Sequence, residues 1–131
     1  MFKLRKAAVL LLAMAVGAWP AAAQAPELAM LDTLQKGSWT IALRTDGSQK
    51  QVCVRTGREF IQLRHAQPGC SRFVVEDAER QVTVQYTCRG NGYGRTTIRM
   101  ESRGLVQISS QGLHGGTPFS IEGEARHTGR C

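Results

Sequence analysis

The sequence predicts a mainly β fold: an antiparallel meander of about seven strands, curled into a half-barrel or small barrel, disulfide-linked, with one or two short helices. Three observations carry this reading. After Gly37, apolar side chains recur mostly with period two rather than 3.6. Turn signals interrupt the chain at short intervals, at Asp46-Gly47, Pro68-Gly69, Asn91-Gly92, Gly104 and Gly115-Gly116. Four cysteines, Cys53, Cys70, Cys88 and Cys131, all follow an N-terminal export signal, so they mature where thiols pair.

The export signal occupies residues 1–23. Lys3, Arg5 and Lys6 charge its start, residues 7–19 are apolar, and Ala21-Ala22-Ala23 gives the small-residue cleavage pattern, leaving Gln24 first. The apolar run is shorter than the ~20 residues a spanning helix needs, and no second run follows, so no membrane span is expected after cleavage. Without a cysteine beside that run or an Arg-Arg pair ahead of it, an unlipidated periplasmic product is expected. Loss of Lys3, Arg5 and Lys6 lowers the formal charge from +7 to +4 over the remaining 108 residues. Twelve of the 14 remaining basic residues are arginine, scattered from Arg44 to Arg130 without a run, which argues against a nucleic-acid groove. A single domain is expected: a partly helical segment at 24–36, then one β-rich unit at 37–131.

Residues 26–34 read as about two turns of helix, with Pro26 early and Leu28, Leu31 and Leu34 on one face, stopped by Gly37. Trp39, Ile41 and Leu43 alternate with Thr40, Ala42 and Arg44, and Asp46-Gly47 turns into a second strand at 50–55. Thr56-Gly57-Arg58-Glu59 has the form of a capping box ahead of Phe60, Ile61 and Leu63, so a helix is expected there, ending before Pro68-Gly69. Strands at 71–76 and 81–88 follow, with Phe73 and Val75 read as inward and Val82, Val84, Tyr86 and Cys88 on one dry face. A glycine-rich turn leads to a strand at 95–103, then Gly104, a strand at 105–110, a loop at 112–117 and a last strand at 119–127 with Phe119, Ile121, Gly123 and Ala125 inward. Short connections favour sequence neighbours as spatial neighbours.

Three cysteine pairings are open. If strands alternate in direction, Cys70 enters its strand at the end of the sheet where Cys88 leaves the next, which leaves Cys53 for Cys131. The objection is phase: Cys70 falls opposite to Phe73 and Val75, so a bulge or an irregular entrance after Pro68-Gly69 is required. The rival joins Cys53 to Cys70 and Cys88 to Cys131, clamping the Thr56 helix in a closed loop.

Catalytic chemistry finds little purchase. His65, His114 and His127 have no partner at metal-ligand spacing and read as exposed histidines, so no metal or cofactor is expected. There is no Gly-x-Ser-x-Gly turn and no Cys-x-x-Cys. The glycines at 90–94 join strand to strand and open no helix for a phosphate. Two surface features are candidate sites. Arg95, Arg99 and Arg103 share a strand face with Thr97 and Glu101, an arrangement able to grip anions, although plain solubility of an exposed sheet face is the favoured reading. Leu113 and His114, between glycines, form a candidate interaction loop.

Gly37-Ser38-Trp39, Val52-Cys53-Val54 before a Thr-led helix start, Cys70 opening a strand, Thr87-Cys88, and the ending Arg126-His127-Thr128-Gly129-Arg130-Cys131 occur in that order. This order resembles a family of small exported proteobacterial proteins, domain of unknown function number thirty-six seventeen, over roughly residues 31–131. Many relatives have Pro-Glu where this chain has Gly57-Arg58 before Glu59. The resemblance implies a periplasmic home and a disulfide-linked β fold, and it transfers no activity. The function expected is therefore a non-catalytic binding or accessory module of the envelope, with an envelope protein or an anionic envelope component as partner; the alternative is a small protein inhibitor or stress-related interaction protein. The first reading calls for a concave cavity lined by Trp39, Tyr86 and Phe119, the second for a filled core and a stiff protruding loop.

Overall fold

The computed structural model describes residues 17–19 and 27–131. The expected signal peptide, save for residues 17–19, and Pro26 lie outside the described residues. Seven strands are present: β1 (Gly37–Leu43), β2 (Gln49–Val54), β3 (Ser71–Asp77), β4 (Gln81–Cys88), β5 (Gly92–Ser102), β6 (Leu105–His114) and β7 (Thr117–Gly129). They form one antiparallel sheet in the order β2-β1-β7-β6-β5-β4-β3.

The meander holds from β3 to β7, and the β1-β2 hairpin then docks on the far side of β7. Length makes this possible. Residues 117–126 of β7 serve β6, while residues 123–129 serve β1, with a bulge at Ser38/Trp39 where the register shifts. As a result β2 and β3, consecutive in sequence, become the two edges. The closed-barrel version of the expectation is thus corrected to the half-barrel. In a seven-strand sheet of alternating direction the two edge strands run parallel to each other, so direct closure would break the antiparallel pattern. The sheet nevertheless curls until β2 and β3 line the same cleft.

The residues between the edges, 55–69, run from the exit of β2 to the entrance of β3. Their only regular element is a 3-10 turn at Arg58–Phe60, shorter than the helix expected from the capping box. Half of the box forms: the Glu59 carboxylate accepts from the Thr56 amide, while the Thr56 hydroxyl accepts from the Arg58 amide. Gly57 starts the turn at φ 82°, and a Cβ there would press into Leu31. Phe60, Ile61 and His65 point from this segment into the barrel.

At the other end α1 (Ala29–Asp32) is a single turn rather than two, closing at Thr33 before Gly37 is reached. Leu28, Leu31 and Leu34 are all buried, as their spacing predicts. The core they cap contains Trp39 and Ile41 from β1, Val82, Val84 and Tyr86 from β4, Ile98, Val106, Ile108 and Ala125. Trp39 meets Phe60 edge to face at 5.2 Å and donates from Nε1 to the Gln35 carbonyl at 2.9 Å, so its polar handle is satisfied.

Two local expectations are corrected. Phe73 and Val75 face outward, 70 % and 41 % exposed, and the inward set on β3 is Arg72 and Val74. This removes the phase objection to the Cys70 pairing, because Cys70, Arg72 and Val74 share the face of Cys88, Tyr86 and Val84. The expected loop at 112–117 is also mostly strand. Gly112, Leu113 and His114 pair with Phe119, Pro118 and Thr117, and only Gly115-Gly116 turns, at φ 55° and 83°, the positive values a two-residue hairpin needs.

The disulfides join Cys53 to Cys131 and Cys70 to Cys88, with Cα separations of 5.6 and 4.4 Å, and leave no free cysteine. The first ties β2 to the residues after β7 across β1; the second clasps the entrance of β3 to the exit of β4. Thiols paired in this way belong to an oxidising, extracytoplasmic setting. Among the described residues, no helix is long and apolar enough to cross a membrane.

Candidate functional site

A cleft of about 670 Å³ lies along the seam where the sheet fails to close. Lys50 and Val52 of β2 form one wall, Cys70 and Arg72 of β3 the other, and Gln62 and Leu63 lie in the floor between them. Pairing places each wall residue. Lys50 and Val52 stand opposite Ile41 and Trp39, so they share the inner face of β1, and Arg72 stands opposite Tyr86 on the inner face of β4. Inward strand positions in a closed barrel are apolar; here two are cationic because the seam admits water.

The charges in the cleft are unbalanced. Arg72 donates from Nε to the Gln62 side chain at 2.8 Å, and Lys50 reaches the Leu63 carbonyl at 3.5 Å, but neither meets a carboxylate within salt-bridge distance among the described residues. Partial burial, together with the nearby Arg58 guanidinium, presses Arg72 below the usual guanidinium range, and Glu59 opposes this only in part. The Glu59 carboxylate is already engaged. Burial pushes its pKa up, but amide hydrogen bonds from Arg55 and Thr56 overcome that and hold it below the ordinary value. Arg58 is itself paired with Asp32 at 2.7 Å.

Behind this floor sits a buried polar chain. His65 is 0 % exposed, which corrects the expectation of a solvated histidine. Its Nε2 faces the carbonyls of Asn91 and Leu113 at 2.9 and 3.0 Å; because carbonyl oxygens only accept, Nε2 must carry hydrogen. In the neutral ring Nδ1 then accepts from the Tyr86 hydroxyl at 2.9 Å. Burial pushes the Tyr86 phenol above its usual range, with the nearby Ser110 hydroxyl opposing. Thr96 donates to the Ile61 carbonyl at 2.6 Å and so accepts from Ser110 at 2.7 Å. Gly94 and Gly112 pair across β5 and β6 beneath the Tyr86 ring, where a Cβ on Gly94 would overlap the phenol. The chain pins the 55–69 segment to β4, β5 and β6. Shut off from solvent, it holds the floor in place.

The candidate residues read from sequence are dispersed. Arg95 and Arg99 do face outward on β5, but the strand ends at Ser102 after a bulge at Met100/Ser102. Arg103 therefore leaves the row and donates from Nε to the Thr33 carbonyl at 3.0 Å. Arg99 is paired with Glu101 at 3.3 Å and Arg126 with Glu124 at 2.7 Å, while Arg44 donates to the neutral Gln107 side chain. The row of three arginines is thus reduced to Arg95 and Arg99. Leu113 and His114 are half-buried strand residues, the first giving its carbonyl to His65, the second stacking 5.0 Å from the His65 ring. Neither protrudes. Trp39 and Tyr86 belong to the buried core, whereas Phe119 lines surface clefts beside Leu43 and Tyr93. Among the described residues no group of three side chains could hold a metal ion.

Sequence reasoning missed the cleft cations and His65. A signal for Arg72 existed: Cys70 must face Cys88, so the residue two further on faces inward too. His65 lies in an aperiodic stretch, which gave no signal. The chain matches no protein-family model, no curated protein and no solved structure.

Proposed function

We propose that this is a non-catalytic binding module of the bacterial envelope, exported to the periplasm by residues 1–23, and that it binds through the seam cleft. The single observation that carries the reading is the pair Lys50 and Arg72: two inward-facing cations on the two walls of the seam cleft, with no carboxylate within salt-bridge distance among the described residues. A cleft lined by charges of one sign focuses the field and raises the local concentration of ligands of the opposite sign. The leader's charged start, apolar run and alanine triplet support export, as do the disulfides and the resemblance to exported proteobacterial domains. The inhibitor alternative loses the projecting loop on which it rested, since Leu113 and His114 lie in β6.

The test uses the mature protein and a Lys50→Glu/Arg72→Glu variant, each immobilised and exposed to periplasmic extract, with bound proteins and lipids identified. Components held by the wild type and lost from the variant support the reading. Identical capture by both, or by neither, contradicts it.

A further inference from the structure

The seam exposes backbone as well as charge. Among the described residues, no backbone hydrogen bond joins β2 or β3 to the 55–69 segment between them. The outward peptide groups of both edge strands are therefore unpaired, which is the condition under which another chain adds as a strand. Direction matters too. Because the sheet alternates in direction up to β3 at its edge, a chain that pairs with β3 alone, in the opposite sense, continues the antiparallel pattern.

The two edges differ. On its outer face β2 presents Gln49, Gln51 and Cys53, polar or tied into a disulfide. On β3, by contrast, Phe73 and Val75 are exposed on the outer face while Arg72 projects inward into the cleft with Lys50 opposite. An apolar outer row with a cationic inner row on one edge strand specifies the complement: alternating apolar and acidic side chains. The bulge between Val74 and Glu76 limits the straight stretch to Ser71 through Val74. Four residues span about 13 Å of strand.

We infer that the cleft takes an extended acidic peptide from a partner protein, added antiparallel to β3, its inward carboxylates between Arg72 and Lys50 and its outward apolar side chains against Phe73. This rests on the seam being the binding site, and names the ligand class for it.

Displayed pools of ten-residue peptides test it, with Glu, Gln or Lys fixed at alternate positions and the rest randomised, selected on the mature protein. The Glu pool should enrich at least tenfold over the Lys pool. The enriched peptides should lose at least tenfold in affinity for Arg72→Glu, and be unchanged for Arg95→Glu on the outer face, with urea midpoints showing both variants folded. Methylating every second backbone nitrogen of an enriched peptide should abolish binding in one phase and spare it in the other, because only one set of amides faces β3. Equal enrichment of the Glu and Lys pools overturns the inference, as does equal loss in both methylation phases. So does a dimer of the protein in solution whose contact protects β3 amides, since the edge would then belong to a second copy. If peptides fail while periplasmic extract still yields components that depend on Lys50 and Arg72, strand addition falls and the binding module stands.

Discussion

Replacing Tyr86 with phenylalanine removes one oxygen from a site closed to solvent. The ring still fits over Gly94, so no cavity of consequence opens; what changes is His65 Nδ1, fully buried and 2.9 Å from the lost hydroxyl. An orphaned buried acceptor costs about 1–3 kcal/mol, against under about 0.5 kcal/mol for the same change at Tyr93, which is 47 % exposed. With a urea slope of about 2 kcal/mol per molar, a 2 kcal/mol loss lowers the unfolding midpoint by about 1 M at unchanged slope. His65→Leu placed in both backgrounds closes a double-mutant cycle, and a coupling of about 1 kcal/mol or more is expected. The argument is refuted if Tyr86→Phe unfolds at the same urea concentration as Tyr93→Phe.

Trp39→Ala should cost about 3–5 kcal/mol in urea unfolding, since it empties the space beside Phe60, while Arg99→Ala, exposed and paired only with Glu101, should cost under about 0.5 kcal/mol. Equal costs would mean that the inner and outer faces of the sheet are misassigned. Removing the Cys53–Cys131 bond, which closes a separation of 78 residues, should lose up to about 4.5 kcal/mol, more than the roughly 3 kcal/mol for Cys70–Cys88 at a separation of 18. Paired serine variants compared by urea unfolding give the ranking, and the reverse order contradicts the chain-entropy account. Glu59 sets an acid limit. Its folded pKa is below the unfolded value near 4.5, so its stabilisation is complete above that value and lost as pH falls through the folded one. The stability gap between wild type and Glu59→Gln should be constant near neutrality and close in acid; a gap that does not change with pH would contradict the amide hydrogen bonds to Glu59.

Much of the fold is legible in the sequence, and the failures share a cause. Strand β4 reads directly, because Val82, Val84, Tyr86 and Cys88 are buried and alternate with polar residues over a sheet that is dry on one side. On β3 the same rule inverts the strand. Phe73 and Val75 are the apolar set, yet they face solvent, since the edge abuts an open seam rather than a closed wall. Hydrophobic phase reports burial, and where the inner face is wet it reports the wrong side. The Gly112 stretch misleads differently. Glycine there reads as loop, but at Gly112 its job is to let β6 pass close to the β5 backbone at Tyr93. The docking of β1 on β7 left no local trace, being a pairing between residues about 90 positions apart. The candidate site follows from that docking, because it alone makes β2 and β3 the edges.

Amide hydrogen exchange on the free, oxidised protein tests the open seam most directly. Strand β6 is paired on both sides along its length and β5 over residues 92–99, so the amides there should be protected, whereas along β2 and β3 every second amide, the set turned towards the cleft, should exchange far faster than its neighbours. Uniform protection along β2 and β3, comparable to β5 and β6, would show that the edges pair with each other, that the barrel is closed, and that there is no seam for a ligand to enter.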